Sequence, residues 1–156
     1  MEQPSKRLID LYVYQEKEQI LSFLLMRRAG GKIYGGQWRM VGGKAGDRET
    51  HWQAALRELK EETGLIPDLF WSVPTINHFY EPKTDQVHLI PVFAAEITGD
   101  PAIVLDDEHT EFRWVEAGNA GSYIFWPEQK RIIACINSIV INKRILQDWI
   151  IEFDHT

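Results

Sequence analysis

Residues 50–63 constrain this chain more than any other stretch, because three independent signals there agree on one helix with fixed ends. Thr50 with Gln53 three positions on forms a capping box. Trp52, Ala55, Leu56 and Leu59 recur at helical spacing and make one apolar stripe. Gly64 stands where a left-handed C-cap belongs, with Leu65 as its apolar contact. A helix with such a stripe must bury it, and the neighbouring segments supply a sheet. Residues 8–14, 19–28, 38–41, 75–81, 86–97 and 111–115 are β-rich and read as strands. Residues 29–37 carry four glycines and read as a loop. Trp126-Pro127 opens a second helix, with Ile132, Ile133, Ile136, Ile139 and Val140 as its apolar face. Strands around two helices predict an α+β fold, a mixed sheet between helices, in one domain over residues 1–156.

Composition narrows the function. At 156 residues with 44% apolar and 26% charged side chains, the chain can bury a sizeable core. Its formal net charge of −6 argues against coating a nucleic-acid polymer. An acidic chain that handles a phosphorylated small molecule needs local cations or bound metal. The lone Cys135 can form no internal disulfide, and its apolar surroundings predict a core residue. Residues 1–7 carry no apolar leader and no run reaches a membrane span, so a cytoplasmic protein without membrane partners is expected.

The helix also carries chemistry. Glu58, Glu61 and Glu62 fall at i, i+3 and i+4, so they share one arc, expected largely opposite the apolar stripe. Three carboxylates on one arc repel unless solvent or cations intervene. Hard divalent cations such as Mg²⁺ take oxygen ligands of this kind. No Gly-x-Ser-x-Gly elbow and no Gly-Lys-Ser/Thr phosphate loop occurs, which argues against serine hydrolases and P-loop ATPases. The five histidines lack the spacing of a His-Glu-x-x-His metal helix.

From Gly43, the order is Glu49 after five residues, Arg57-Glu58-Leu59 after seven more, then Glu61-Glu62 and Gly64-Leu65. This segment, 43–65, resembles the Nudix box, the signature of the Nudix hydrolases, at all nine specified positions. The resemblance implies a Nudix-type α/β/α sandwich and hydrolysis of a diphosphate linked to another moiety. It implies that Gly43, Glu58, Glu61 and Glu62 hold Mg²⁺, with Mn²⁺ as a substitute. Glu49 and Arg57 would be a supporting pair that fixes the loop against the helix. Arg27, Arg28 and Lys44 are candidates for substrate phosphate, with strand alternation sending the two arginines to opposite faces.

Members of the family often place one further glutamate on a loop over the metals. Glu108, in the acidic run 106–111, is the choice here as catalytic residue and metal ligand, with Glu111 as fallback. Glu108 or Glu58 would be the general base. Glu108-His109 and the later Trp126 resemble the dihydroneopterin triphosphate and dATP pyrophosphohydrolase group. The implied activity is cleavage of a nucleoside or dihydroneopterin-type triphosphate to monophosphate and pyrophosphate. The alternatives are an asymmetric diadenosine tetraphosphate hydrolase and a Nudix-fold binding module without catalysis. Trp38 reads as core, and Phe79, Tyr80, Phe125 and Trp126 could stack on a base. Residues 146–153 could dock on the domain or join a homodimer; monomer and homodimer both stay open.

Overall fold

The computed structural model describes residues 7–32 and 35–155. The expected absence of a leader over residues 1–7, and the centre of the glycine loop at Ile33 and Tyr34, fall at least in part outside the described residues. Among those described, no helix is long and apolar enough to cross a membrane.

Among the described residues, seven strands form one mixed sheet. The chain enters as β1 (Leu8–Lys17) and returns antiparallel as β2 (Ile20–Arg28). Glu18 and Gln19 between them both have positive φ, the conformation that matches the twist of a two-residue hairpin. The expected strand at 38–41 is instead two short ones, β3 (Trp38–Arg39) on β2 and β4 (Val41–Lys44) on β1. After α1 (His51–Thr63) come β5 (Leu69–Glu81) and β6 (Gln86–Glu96) as a long hairpin. β5 begins before the expected position 75, and its register on β6 shifts between Ser72 and Ile76, around Pro74. Proline has no N–H for the ladder, so the irregularity there hid the first half of the strand. β6 runs parallel to β1, and β7 (His109–Glu116) pairs with β2. The second helix, α2 (Pro127–Ile141), has Pro127 in its first turn.

β1 is apolar on both faces because a helix covers each. Successive side chains alternate, so Ile9, Leu11 and Val13 join Leu24, Ala55, Leu59 and Phe70 under α1. Tyr12 and Tyr14 join Phe23, Leu25, Trp71 and Ile132 under α2. These two cores make the expected α/β/α sandwich. The capping box and the left-handed Gly64 cap both form as the sequence predicts. Cys135 is only partly buried, packed against the α2 core. The segment after α2 docks on the sheet: Trp149 stacks on Trp71 at 6.3 Å, and the Ile151 N–H donates to the Phe70 carbonyl at 2.9 Å.

Candidate functional site

The last two turns of α1 face β4 on one side and the loop before β7 on the other. Gly43, in β4, lies beneath Glu58. A Cβ at Gly43 would stand 2.5 Å from the Glu58 carboxyl, so no side chain fits there. Gly42 and Gly43 pair with Asp10 and Ile9 of β1, which holds the position rigid.

The three glutamates are not equivalent. Glu61 is exposed, Glu58 is half-buried in its surroundings, and Glu62 is 4% exposed. The expected arc opposite the stripe is therefore wrong for Glu62. At ~100° per residue, seven residues return to within about 20° of the start, so Glu62 lies almost over buried Ala55. It belongs to the inward face.

Arg57 gathers the outer carboxylates. Its Nε and Nη2 donate to Glu49 at 2.7 and 3.0 Å, and Nη2 also donates to the Lys44 carbonyl at 2.9 Å. Its Nη1 donates to Glu58 at 3.0 Å and Glu61 at 3.1 Å. Glu49 also accepts from the Gly46 N–H at 2.8 Å. The Arg57 bonds, then the Gly46 bond, hold the Glu49 carboxyl down at about 2.

Glu62 meets the opposite surroundings. Burial, then the charges of Glu58 and Asp106, a shared hydrogen bond with Glu58, and the charge of Glu108 push its carboxyl up to about 9. Burial also raises Glu58, although Arg57 offsets part of the effect. Glu62 Oε1 lies 3.6 Å from His109 Nε2, while Oε2 is buried without a hydrogen-bond partner among the described residues. On the far side of the ring, Nδ1 lies 2.8 Å from Asp106 Oδ1. Ligand atoms of Glu62, Asp106 and His109 all fall within 4.8 Å of one another.

Asp106 and His109 are the residues that sequence reasoning passed over as site members. Their three-residue spacing becomes visible only once the chain turns, with the Glu108 N–H donating to Asp106 Oδ1 at 3.2 Å. That turn sends His109 inward, 2% exposed at its side chain, and leaves Glu108 outward at 49%. Glu108 lies 3.6 Å from Arg28, on the same loop-side rim. The expected opposite faces of Arg27 and Arg28 meet a register shift: Arg27 pairs with Glu111, but Arg28 pairs with His109. A bulge there breaks simple alternation. Arg27 and the side chain of Lys44 are exposed. Glu111 is exposed and lies across the ladder from Arg27, away from the buried cluster. Phe79 stacks on His88 at 4.7 Å, and Phe125 and Trp126 are exposed just before α2. Trp38 packs edge-on to Tyr123 at 5.6 Å, a packing role.

The donor set fits a divalent cation. Glu58 crowds a glycine cradle that a side chain would fill, and the orphaned oxygen of Glu62, four residues on, is of the hard type such ions take.

A family model described as NUDIX domain matches residues 4–134. A curated relative, an octanoyltransferase from Myxococcus xanthus, is 30% identical over 124 residues, 75% of this chain. The chain spans only 32% of that relative's length. A C. elegans Ap4A hydrolase binary complex superposes with TM-score 0.73 at 18% identity, over 88% of this chain and 99% of that one. The E. coli dihydroneopterin triphosphate pyrophosphohydrolase gives TM-score 0.70 at 22% identity, over 90% and 99%. At these identities the likeness to solved structures is one of fold.

Proposed function

The chain belongs to the NUDIX domain family, and on that premise we propose that it is a hydrolase, a divalent-metal-dependent pyrophosphohydrolase. Its substrate is a nucleoside triphosphate or a related dihydroneopterin-type triphosphate, cleaved to the monophosphate and pyrophosphate. The observation that carries this reading is Glu62, a buried carboxylate among other acids with an oxygen left unpartnered. Burying such a carboxylate costs stability, and a bound cation offsets that cost.

In this reading Glu58, Glu61 and Glu62, with the Gly43 carbonyl, hold Mg²⁺ or Mn²⁺. Such ions screen phosphate charge and lower the pKa of an attacking water. The remaining work falls to the chain. Arg57 keeps Glu58 and Glu61 on the metal side and ties the loop before α1 through Glu49. Arg27 and Lys44 supply charge-assisted contacts to the phosphates. Glu108, on its exposed loop, accepts the water's proton as water adds to phosphorus and the bond to pyrophosphate breaks. Arg28, 3.6 Å from Glu108, supports this role by steadying that carboxylate. The chemistry suits an acidic protein, because bound ions offset its net charge of −6 locally.

A panel of triphosphates and diphosphate-linked compounds, with products identified, tests the reading. Deoxynucleoside or pterin triphosphates should be cleaved faster than ADP-ribose or diadenosine tetraphosphate. A higher kcat/KM for diadenosine tetraphosphate would replace this substrate class, and no turnover with any divalent ion would leave a binding module. Glu108→Gln separates the two roles open to that residue. As base, the variant loses kcat with metal affinity unchanged; as ligand, apparent metal affinity falls.

A further inference from the structure

We propose that the ion held by Glu62 also takes a nitrogen ligand, His109 Nε2, so this position favours a borderline transition-metal ion over Mg²⁺. The inference rests on the metal-dependent reading above and refines it, replacing an all-oxygen shell by a mixed one.

Three observations carry it. His109 Nε2 and Glu62 Oε1 are 3.6 Å apart. That is too long for an N–H···O hydrogen bond. It is near the span of about 3.4 Å expected for two ligand atoms each about 2.1 Å from one tetrahedral ion. Next, the other ring nitrogen is already engaged, with Nδ1 2.8 Å from Asp106. A carboxylate accepting from Nδ1–H leaves the Nε2 lone pair directed at Glu62, the arrangement that orients a histidine toward a metal. Finally, both side chains are buried, at 2% and 5% exposure, and Glu62 Oε2 has no hydrogen-bond partner among the described residues. A carboxyl oxygen and an imidazole nitrogen that face each other out of water without a hydrogen bond between them are two ligand atoms that a cation can join.

Asp106 remains 25% exposed at its side chain, so an ion enters from the loop that precedes β7. Imidazole suits Co²⁺, Zn²⁺ and their neighbours, whereas Mg²⁺ keeps to oxygen and water. Glu58 and Glu61 on the outer side stay available to an oxygen-bound Mg²⁺. The ligand class is therefore a transition-metal dication at Glu62–His109, oriented by Asp106.

Metal binding without substrate tests this separately from hydrolysis. Metal-free protein is titrated with Co²⁺, followed by its visible absorption, and with Mg²⁺ by competition. His109→Gln should weaken Co²⁺ at least tenfold while changing Mg²⁺ less than threefold. Asp106→Asn should weaken Co²⁺ by about 10- to 100-fold, the cost of losing an orienting partner. On the unaltered protein, labelled with ¹⁵N-histidine, Zn²⁺ should shift the Nε2 resonance of His109 and leave the Nδ1 proton in place. An unmoved Nε2 resonance, or equal losses for both metals in His109→Gln, would overturn the nitrogen ligand. If those metal signatures appear but no triphosphate is cleaved, the site stands and the proposed activity falls.

Discussion

Two acidic clusters sit within two turns of the same helix, and they are solved in opposite ways. The outer one is completed by the chain itself: Arg57 donates to Glu49, Glu58, Glu61 and the Lys44 carbonyl, and Glu49 is held down at about 2. The inner one faces Glu62 with Glu58, Asp106 and Glu108, and its carboxyl is pushed up to about 9. A satisfied cluster on a surface is a fastening. An unsatisfied one in the interior costs stability, and it persists in a folded protein where something from outside completes it. The contrast separates the Glu49–Arg57 pair, expected to matter for shape, from Glu62, expected to matter for chemistry, with Glu58 between the two.

The largest effect should come from the inner cluster. Glu62→Gln should lower kcat by about 10²-fold or more, as for loss of one electrostatic stabiliser, while the metal-free protein melts at a higher temperature. The gain should grow with pH. A carboxyl raised in the folded state binds more protons there than in the unfolded chain, so its unfavourable contribution is absent below the ordinary range and full above about 9. Melting curves at pH 5 and pH 8 check it; a gain equal at both would erase the distinction between the clusters. Excess chelator should abolish turnover yet leave the fold, because packing rather than metal holds α1.

Leu59→Ala should show the reverse pattern. Leu59 is fully buried on the inner face of α1, and its truncation should cost about 2–5 kcal/mol in denaturant unfolding. Metal affinity of the folded fraction should stay within about threefold.

Glu49→Gln should be milder in stability. The Arg57–Glu49 pair is only partly covered from solvent, and ion pairs near the surface contribute about 0–1 kcal/mol. Because the folded carboxyl is depressed, that contribution is present above the ordinary carboxylate range and disappears as pH falls toward about 2. The wild-type and variant urea midpoints should therefore differ slightly at pH 6 and converge near pH 2. A shift of several kcal/mol would mean the outer cluster is more than a fastening.

The sequence by itself determined α1. Its capping box, Gly64 cap and buried Ala55 and Leu59 are contacts between residues a few positions apart, so spacing alone carries them. The same holds for the Gly43–Leu65 box, whose glycine, arginine and glutamates are brought together by one loop and one helix. Tertiary structure decided the rest. Glu62 turned inward because a helical face has finite width and the sheet covers all of it, including a carboxylate beside Ala55. Asp106 and His109 reached it only when β7 paired with β2, some forty residues farther on, through a register shift that local alternation does not anticipate. β5 likewise began early because its pairing with β6 continues across the break at Pro74. Short-range hydrogen bonds and periodicity are written residue by residue. Which acid ends up out of water, and which imidazole faces it, depends on the distant surfaces that fold against them.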